Sequence, residues 1–223
     1  MTIKKNKDVI FEELHKSLEA AGRFGNSVTV IGVTKYADLE ATKELIDAGI
    51  CHLGENRVDK FLAKYHALQD KDITWHFIGS VQRRKVKDFI NQIDYFHALD
   101  SINLAKEIQK RAEKPIKCFL QLNVSGEESK HGFSPDELDD IIPQLEELDM
   151  LQLVGIMTMA PLGADPEILH NIFKETNQIR QKLQSQNRKN MPFTELSMGM
   201  SNDYPIAVQN GATFVRIGTS FFK

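Results

Sequence analysis

The chain alternates strand-like and helix-like stretches eight times without a long linker, and few folds accommodate that rhythm. Strand patterns cover 28–34, 51–54, 74–78, 94–98, 116–124, 152–158, 195–198 and 213–217. Helical patterns follow the first seven, at 38–48, 56–68, 82–91, 102–113, 135–148, 166–186 and 202–210, and one more, 6–21, opens the chain. The helix starts carry their own signals. SPDE at 134–137 puts Ser134 at an N-cap, Pro135 at the first helical position and Glu137 where it closes a capping box. Asp165 with Pro166 repeats the cap-then-proline pattern. Most strands are apolar on both faces, as parallel strands covered by helices are.

This pattern is α/β and predicts a single (β/α)8 TIM-type barrel over residues 1–223. An open doubly wound sheet is the alternative. Only FFK follows the last strand pattern, so the reading expects an extra N-terminal helix and no final outer helix.

Composition narrows the function classes. With 41% apolar and 26% charged residues, the chain has the balance of a soluble globular protein. Its formal net charge of -3 gives no general attraction to nucleic acid or anionic membrane. The one dense basic run, RRKVK at 83–87, reads as a solvated helix face. No apolar run approaches the roughly 20 residues that span a bilayer. The charged, helical N-terminus lacks a signal core, so a cytoplasmic protein is expected. Cys51 and Cys118 lie in apolar runs and read as free, packed thiols of a reducing compartment.

In a barrel of this kind the chemistry sits at the C-terminal ends of the strands. Those ends offer Lys35, then Glu55 and Asn56, Gly79 and Ser80, Met157 and Thr158, Ser201, and finally Arg216, Gly218 and Thr219. Loops after the last two strands often hold a phosphate. Ser201 in SMGMSND stands where a helix is expected to start, with backbone N–H groups that suit an anion. RIGTS at 216–220 adds a glycine for close backbone approach and two hydroxyls. Closing the barrel makes the eighth strand the neighbour of the first, so this cradle and Lys35 face one pocket.

A lysine in a low-dielectric barrel mouth has its ammonium form disfavoured, and its free amine forms a Schiff base with an aldehyde. An aldehyde carrying a phosphate at that spacing is pyridoxal 5′-phosphate. A phosphorylated sugar handled without a cofactor stays open at this point. His76 in WHFIG faces either the pocket or the core, and the remaining histidines show no metal-ligand spacing, so no metal is expected. No Walker loop, GxGxxG or Ser-His-Asp constellation is evident.

Seven stretches carry a family resemblance: VTKY around Lys35, HLGENRV at 52–58, WHFIGSVQRRKVK at 75–87, NVSGEESKHGF at 123–133, GIMTMAP at 155–161, SMGMSNDY at 197–204 and RIGTSFF at 216–222. In that order, through nearly the whole chain, they resemble the pyridoxal phosphate homeostasis proteins. That family is a single-domain barrel similar to the N-terminal domain of alanine racemase. The resemblance implies the cofactor on Lys35 as a Schiff base, its phosphate on Ser201, Gly218 and Thr219, and Arg216 at the pyridine nitrogen. It places Asn56, His76 and Met157 along the ring or its approach. It implies a role in vitamin B6 balance without established turnover and no catalytic residue, with weak amino-acid racemase activity as the alternative. Amino acids and apo-enzymes that use the cofactor are the further partners, and a monomer is expected. A racemase also needs a second acid–base group, supplied in alanine racemase by a tyrosine through an additional C-terminal β domain. Tyr36 and Tyr204 are the candidate substitutes here. The tail SFFK is shorter than the common family ending.

Overall fold

The computed structural model describes residues 2–127 and 131–223. Within the NVSGEESKHGF stretch, residues 128–130 therefore lie outside the described residues. Among the described residues eight parallel strands close into a barrel in sequence order: β1 (Thr29–Val33), β2 (His52–Glu55), β3 (Thr74–Phe77), β4 (Tyr95–Leu99), β5 (Ile116–Gln121), β6 (Leu151–Met157), β7 (Glu195–Met200) and β8 (Phe214–Ile217). Closure is made by β1 against β8, in register from Thr29 opposite Phe214 to Gly32 opposite Ile217. The doubly wound alternative is thereby set aside.

The outer α-helices are α1 (Ile3–Ala20), α2 (Leu39–Asp47), α3 (Val58–Ala67), α4 (Ile102–Arg111), α5 (Leu138–Glu146), α6 (Pro166–Ser185) and α7 (Tyr204–Gln209). Strand faces turned to these helices bury Leu53, Phe77, Phe96, Leu120 and Ile156 completely, which is why the strands read as apolar throughout. A second, separate cluster joins Ile31, Phe119, Val154, Met157 and Phe214. The capping box at Ser134 is present, and Ser134 N–H donates to Glu137 at 2.7 Å. It caps a short 3₁₀ turn, Pro135–Glu137, that leads into α5.

α1 packs against both α7 and α2, the two helices that an eighth outer helix would separate. Tyr204 Oη on α7 donates to the Glu13 carboxylate on α1. Asn6 Nδ2 reaches the carbonyls of Phe221 and Lys223 at 2.8 and 2.9 Å. The N-terminal helix thus holds the segment that follows β8.

Three local expectations are corrected. The stretch 82–91 forms 3₁₀ turns, Arg83–Asp88 and Ile90–Gln92, rather than an α-helix. Val86 and Phe89 are its buried anchors, and their i, i+3 spacing suits a three-residue turn as well as it suits an α-helix. The basic residues of that stretch are exposed, as expected. Cys51 is exposed, because β2 starts only at His52, while Cys118 is buried inside β5. The seventh helix starts at Tyr204 and not at 202.

Candidate functional site

A cavity of about 790 Å³ opens at the C-terminal ends of the strands, and Lys35, Asn56, Ser201, Arg216, Gly218 and Thr219 all line it. Each position follows from local structure. Lys35 is in the turn that leaves β1, closed by Ala37 N–H onto the Thr34 carbonyl at 2.9 Å. Beneath that turn lies a buried ion pair. Lys64 of α3 donates to Glu55 Oε1 and to the Thr34 carbonyl, both at 2.6 Å, and Thr34 Oγ1 donates to the same carboxylate oxygen at 2.6 Å. The backbone that presents Lys35 is therefore pinned from below by three buried side-chain bonds.

The Lys35 side chain itself is exposed, and its Nζ lies 5.0 Å from the centre of the Tyr36 ring. Sequence position alone puts this amine at a low-dielectric barrel mouth, whereas the structure leaves it exposed. The pocket rim is open at this point, since Tyr36 and Leu162 are both 90% exposed.

Asn56 and Gly79 meet at the ends of β2 and β3. A Cβ on Gly79 would stand 2.2 Å from the Asn56 carbonyl oxygen, so only glycine lets the two turns approach. Gly218 plays a similar part across the barrel seam: a Cβ there would meet the Val33 carbonyl oxygen at 3.2 Å. That glycine brings the end of β8 against the end of β1, beside Lys35.

Ser201 Oγ accepts from the Gly218 N–H at 3.3 Å, which joins the loops after β7 and β8. The turn beyond β8 is closed by Phe221 N–H onto Gly218 O at 2.9 Å and Phe222 N–H onto Thr219 O at 3.3 Å. A turn of this kind leaves the N–H groups of Thr219 and Ser220 outside its own bonding. Ser201 belongs to the turn before α7 and not to a helix start. Asp203 occupies the N-cap of that helix and accepts from the Met200 N–H. Burial raises the Asp203 carboxyl, against the pull of the Met200 N–H and Arg216.

Arg216 forms the floor. It is 4% exposed, and its guanidinium donates to Ser197 Oγ at 2.7 Å and to the Thr158 carbonyl at 3.0 Å. Burial pushes its pKa down to about 10, with Asp203 acting in the opposite sense. Lys35, Arg216 and Lys223 line the cavity against Asp38 and Asp203. Asp38 is already engaged in capping α2 through the Ala41 N–H at 2.8 Å. The chemistry on offer is a positive pocket with a primary amine at its rim, a buried guanidinium at its base and hydroxyl and N–H donors on one side.

Two named residues stand elsewhere. His76 is fully buried inside the barrel with both ring nitrogens engaged, by His52 and His97 at 2.9 Å each. Met157 belongs to the apolar cluster with Phe119 and Phe214. Neither lines the cavity. Tyr204 is also turned away, buried against α1, where loss of water and the Glu13 carboxylate raise its phenol pKa. Tyr36 alone of the two candidate tyrosines is at the rim.

Sequence reasoning missed Lys64, which is 6% exposed. The signal was present: Phe61 and the C-cap residue Leu68 flank Lys64 at i−3 and i+4, and both are core residues.

Comparison with known proteins gives a consistent picture. Residues 18–223 match the family model described as alanine racemase, N-terminal domain. A relative from Aquifex aeolicus (strain VF5), named pyridoxal phosphate homeostasis protein, is 40% identical over 216 residues, covering 96% of this chain and 94% of the relative. PipY of Synechococcus elongatus PCC7942, solved with PLP bound, superposes with a TM-score of 0.83 at 34% identity, covering 95% of this chain and 100% of that one. Alanine racemase from Corynebacterium glutamicum, at 14% identity and a TM-score of 0.69, covers 96% of this chain and 61% of its own, and shares the fold alone.

Proposed function

We propose a function from one plain premise: this chain belongs to the pyridoxal phosphate homeostasis proteins, a family built on the alanine racemase N-terminal domain. It binds pyridoxal 5′-phosphate in the cavity at the C-terminal end of the barrel. It holds the aldehyde as a Schiff base on Lys35 and so takes part in intracellular balance of the cofactor. The observation that carries this reading is the convergence of Lys35, Arg216, Ser201, Gly218 and Thr219 on one cavity of about 790 Å³.

The residues fit the group. A phosphate dianion suits the Ser201 hydroxyl and the N–H groups of the turn after β8, a backbone cradle of the kind that binds anions. A primary amine at the rim suits an aldehyde. Arg216 can only donate and stays charged at neutral pH even with its pKa lowered to about 10, so a ring nitrogen against it would accept and stay unprotonated. The bound group would supply a reactive aldehyde. With its nitrogen unprotonated the ring withdraws electrons poorly, which favours storage over turnover.

The pocket's open rim gives incoming amines, amino acids among them, a path to the Lys35 linkage, and exchange there serves release to apo-enzymes. The resting protein acts as a monomeric carrier within one barrel domain.

Absorbance tests the anchor. Purified protein given pyridoxal phosphate should develop a visible band that borohydride fixes, and Lys35→Ala should lose it. A band of unchanged strength in Lys35→Ala would remove Lys35 as the anchor. The fold shared with alanine racemase keeps a racemase reading in view. Incubation with a single-enantiomer amino acid in deuterated water separates the two. A carrier leaves the α-hydrogen in place, whereas steady deuteration abolished by Lys35→Ala would mark an enzyme.

A further inference from the structure

Directly below Arg216 runs a file of polar side chains that carriage of a cofactor leaves unexplained. Ser197 Oγ accepts from Arg216 Nη1 at 2.7 Å and stands 2.9 Å from His97 Nδ1. His97 Nε2 is 2.9 Å from His76 Nδ1, and His76 Nε2 is 2.9 Å from His52 Nδ1. The file passes through β8, β7, β4, β3 and β2 inside the barrel. Ser197, His97 and His76 are fully buried, whereas His52, the first residue of β2, is only half-buried. His76 stacks on Tyr95 at 4.7 Å and His97 on Phe119 at 4.3 Å, which fixes both ring planes.

The protons in this file have a definite order. Arginine donates and never accepts. Ser197 Oγ accepts from it, and the single serine proton then goes to the other partner, His97 Nδ1, since a buried hydroxyl left without an acceptor is destabilising. His97 therefore carries its proton on Nε2 and donates to His76 Nδ1. His76 in turn donates from Nε2 to His52 Nδ1. The guanidinium thus sets the tautomer of three rings in succession. Burial first, then the charge of its neighbours, keeps His76 and His97 neutral.

We propose that Ser197, His97, His76 and His52 are positioning residues for Arg216, forming a tautomer-locked relay that couples the pocket floor to the protonation of His52 at the far end of β2. In the protonated state His52 carries both ring protons, so its Nδ1 is a donor. His76 Nε2 must then accept, which leaves the His76 proton on Nδ1. His97 follows, and its Nδ1–H points at Ser197 Oγ, which now accepts from both His97 and Arg216; the serine proton loses its acceptor in the file, a cost that also holds the reversal to acid pH. The acid state holds one proton more, taken from solvent, and no bond between heavy atoms changes. The three hydrogen bonds that join Ser197, His97, His76 and His52 reverse together beneath Arg216.

The charged and titratable groups that face this file are few. Asp94 favours the charged form of His52, and burial opposes it. Lys117 and Tyr95 face His76, Arg216 faces His97, and Asp203 faces Arg216. Since burial lowers the pKa of His52, the reversal belongs below the ordinary histidine range and the relay is locked at neutral pH.

What the relay reports to rests on the proposed cofactor site, but its existence does not, and the test separates the two. In the ligand-free full chain with ¹⁵N-labelled histidine, ring nitrogen shifts should place the protons of His76 and His97 on Nε2 at pH 7.5. On acidification both should invert to Nδ1 with the midpoint at which His52 gains its charge. His52→Gln, whose side-chain oxygen still accepts from His76, should hold both rings on Nε2 throughout. Rings that keep their tautomer in the native chain while His52 charges, or that invert in His52→Gln, overturn the relay. With pyridoxal phosphate added, the visible band should shift with that same midpoint in the native chain and stay fixed in His52→Gln. A band that forms and shows no such shift overturns the coupling to the pocket. If no band forms at any pH, the carrier reading has failed, and the nitrogen shifts alone decide the relay.

Discussion

Where β1 ends, a carboxylate, a main-chain carbonyl and an ammonium meet inside the protein. The Lys64 and Glu55 side chains are only 7% and 0% exposed, and Glu55 Oε2 has no hydrogen-bond partner among the described residues. Removing one member of such a pair strands the other charge in a poor solvent, which costs about 3–5 kcal/mol. Lys64→Met should therefore lower unfolding stability by about 3–5 kcal/mol, read from the urea midpoint at constant slope. Replacing both residues, Lys64→Met with Glu55→Leu, should recover part of the loss, because an apolar pair has no charge to desolvate. A single variant as stable as the native chain would show that the ammonium contributes nothing there. At this scale the candidate site was only partly legible. Lys35, Ser201, Gly218 and Thr219 follow from their place at strand ends and from the rule that barrels work at that face. His76 and Met157 occupy plausible positions in sequence, but strand periodicity says only that a side chain points into the barrel. How deep it sits depends on stagger around the closed sheet, which one sequence does not display.

The N-terminal helix illustrates what elements do for the site. α1 packs between α7 and α2, and through Asn6 it holds the residues after β8, of which Phe222 and Lys223 line the cavity. Asn6 donates two hydrogen bonds to carbonyls, each worth about 0.5–1.5 kcal/mol. Asn6→Ala should cost about 1–3 kcal/mol in total. It should also speed hydrogen exchange at the Phe221 and Phe222 amides while leaving β3 to β5 unchanged. Asn6→Asp should not restore them, because a carboxylate has no proton to offer a carbonyl. Unaltered exchange in the tail of Asn6→Ala would mean that the turn Gly218–Phe222 holds itself. Strands and helices were the most legible part of this fold. Runs such as TVIGV and LQLVGIM are apolar on both faces, and parallel packing demands that of them. The stretch after β3 is less legible, because one apolar spacing serves both helix types. What no local pattern conveys is that α1, the first helix in the chain, closes the ring beside the last strand.

Across the whole molecule, placing three histidines inside the barrel sets how stability responds to acid. His76 and His97 have pKa values held well below the usual histidine value by burial, and that of His52 is lowered less severely. Above pH ~6.5 neither the folded nor the unfolded chain protonates them, so they contribute no pH dependence. Below that point the unfolded chain binds their protons and the folded chain does not. Each such histidine then removes about 1.4 kcal/mol of stability per pH unit. All three act at first; once His52 is charged in the folded state, the two inner rings remain. The expected slope is roughly 3–4 kcal/mol per pH unit. Asp100 and Asp203 work in the other direction, since burial raises their pKa and the folded chain gains protons there first as pH falls. The Met200 N–H and Arg216 oppose that rise at Asp203, and His131 opposes it at Asp100, so the histidines dominate. Urea unfolding at pH 7.5, 6.5 and 5.5 should show a plateau and then a steep loss of stability, and His97→Gln should flatten the lower limb by about 1.4 kcal/mol per pH unit. Equal stability at pH 6.5 and 5.5 would mean that the folded barrel protonates its inner rings as readily as the unfolded chain does. That outcome would contradict the burial argument on which the neutral, ordered file beneath Arg216 depends.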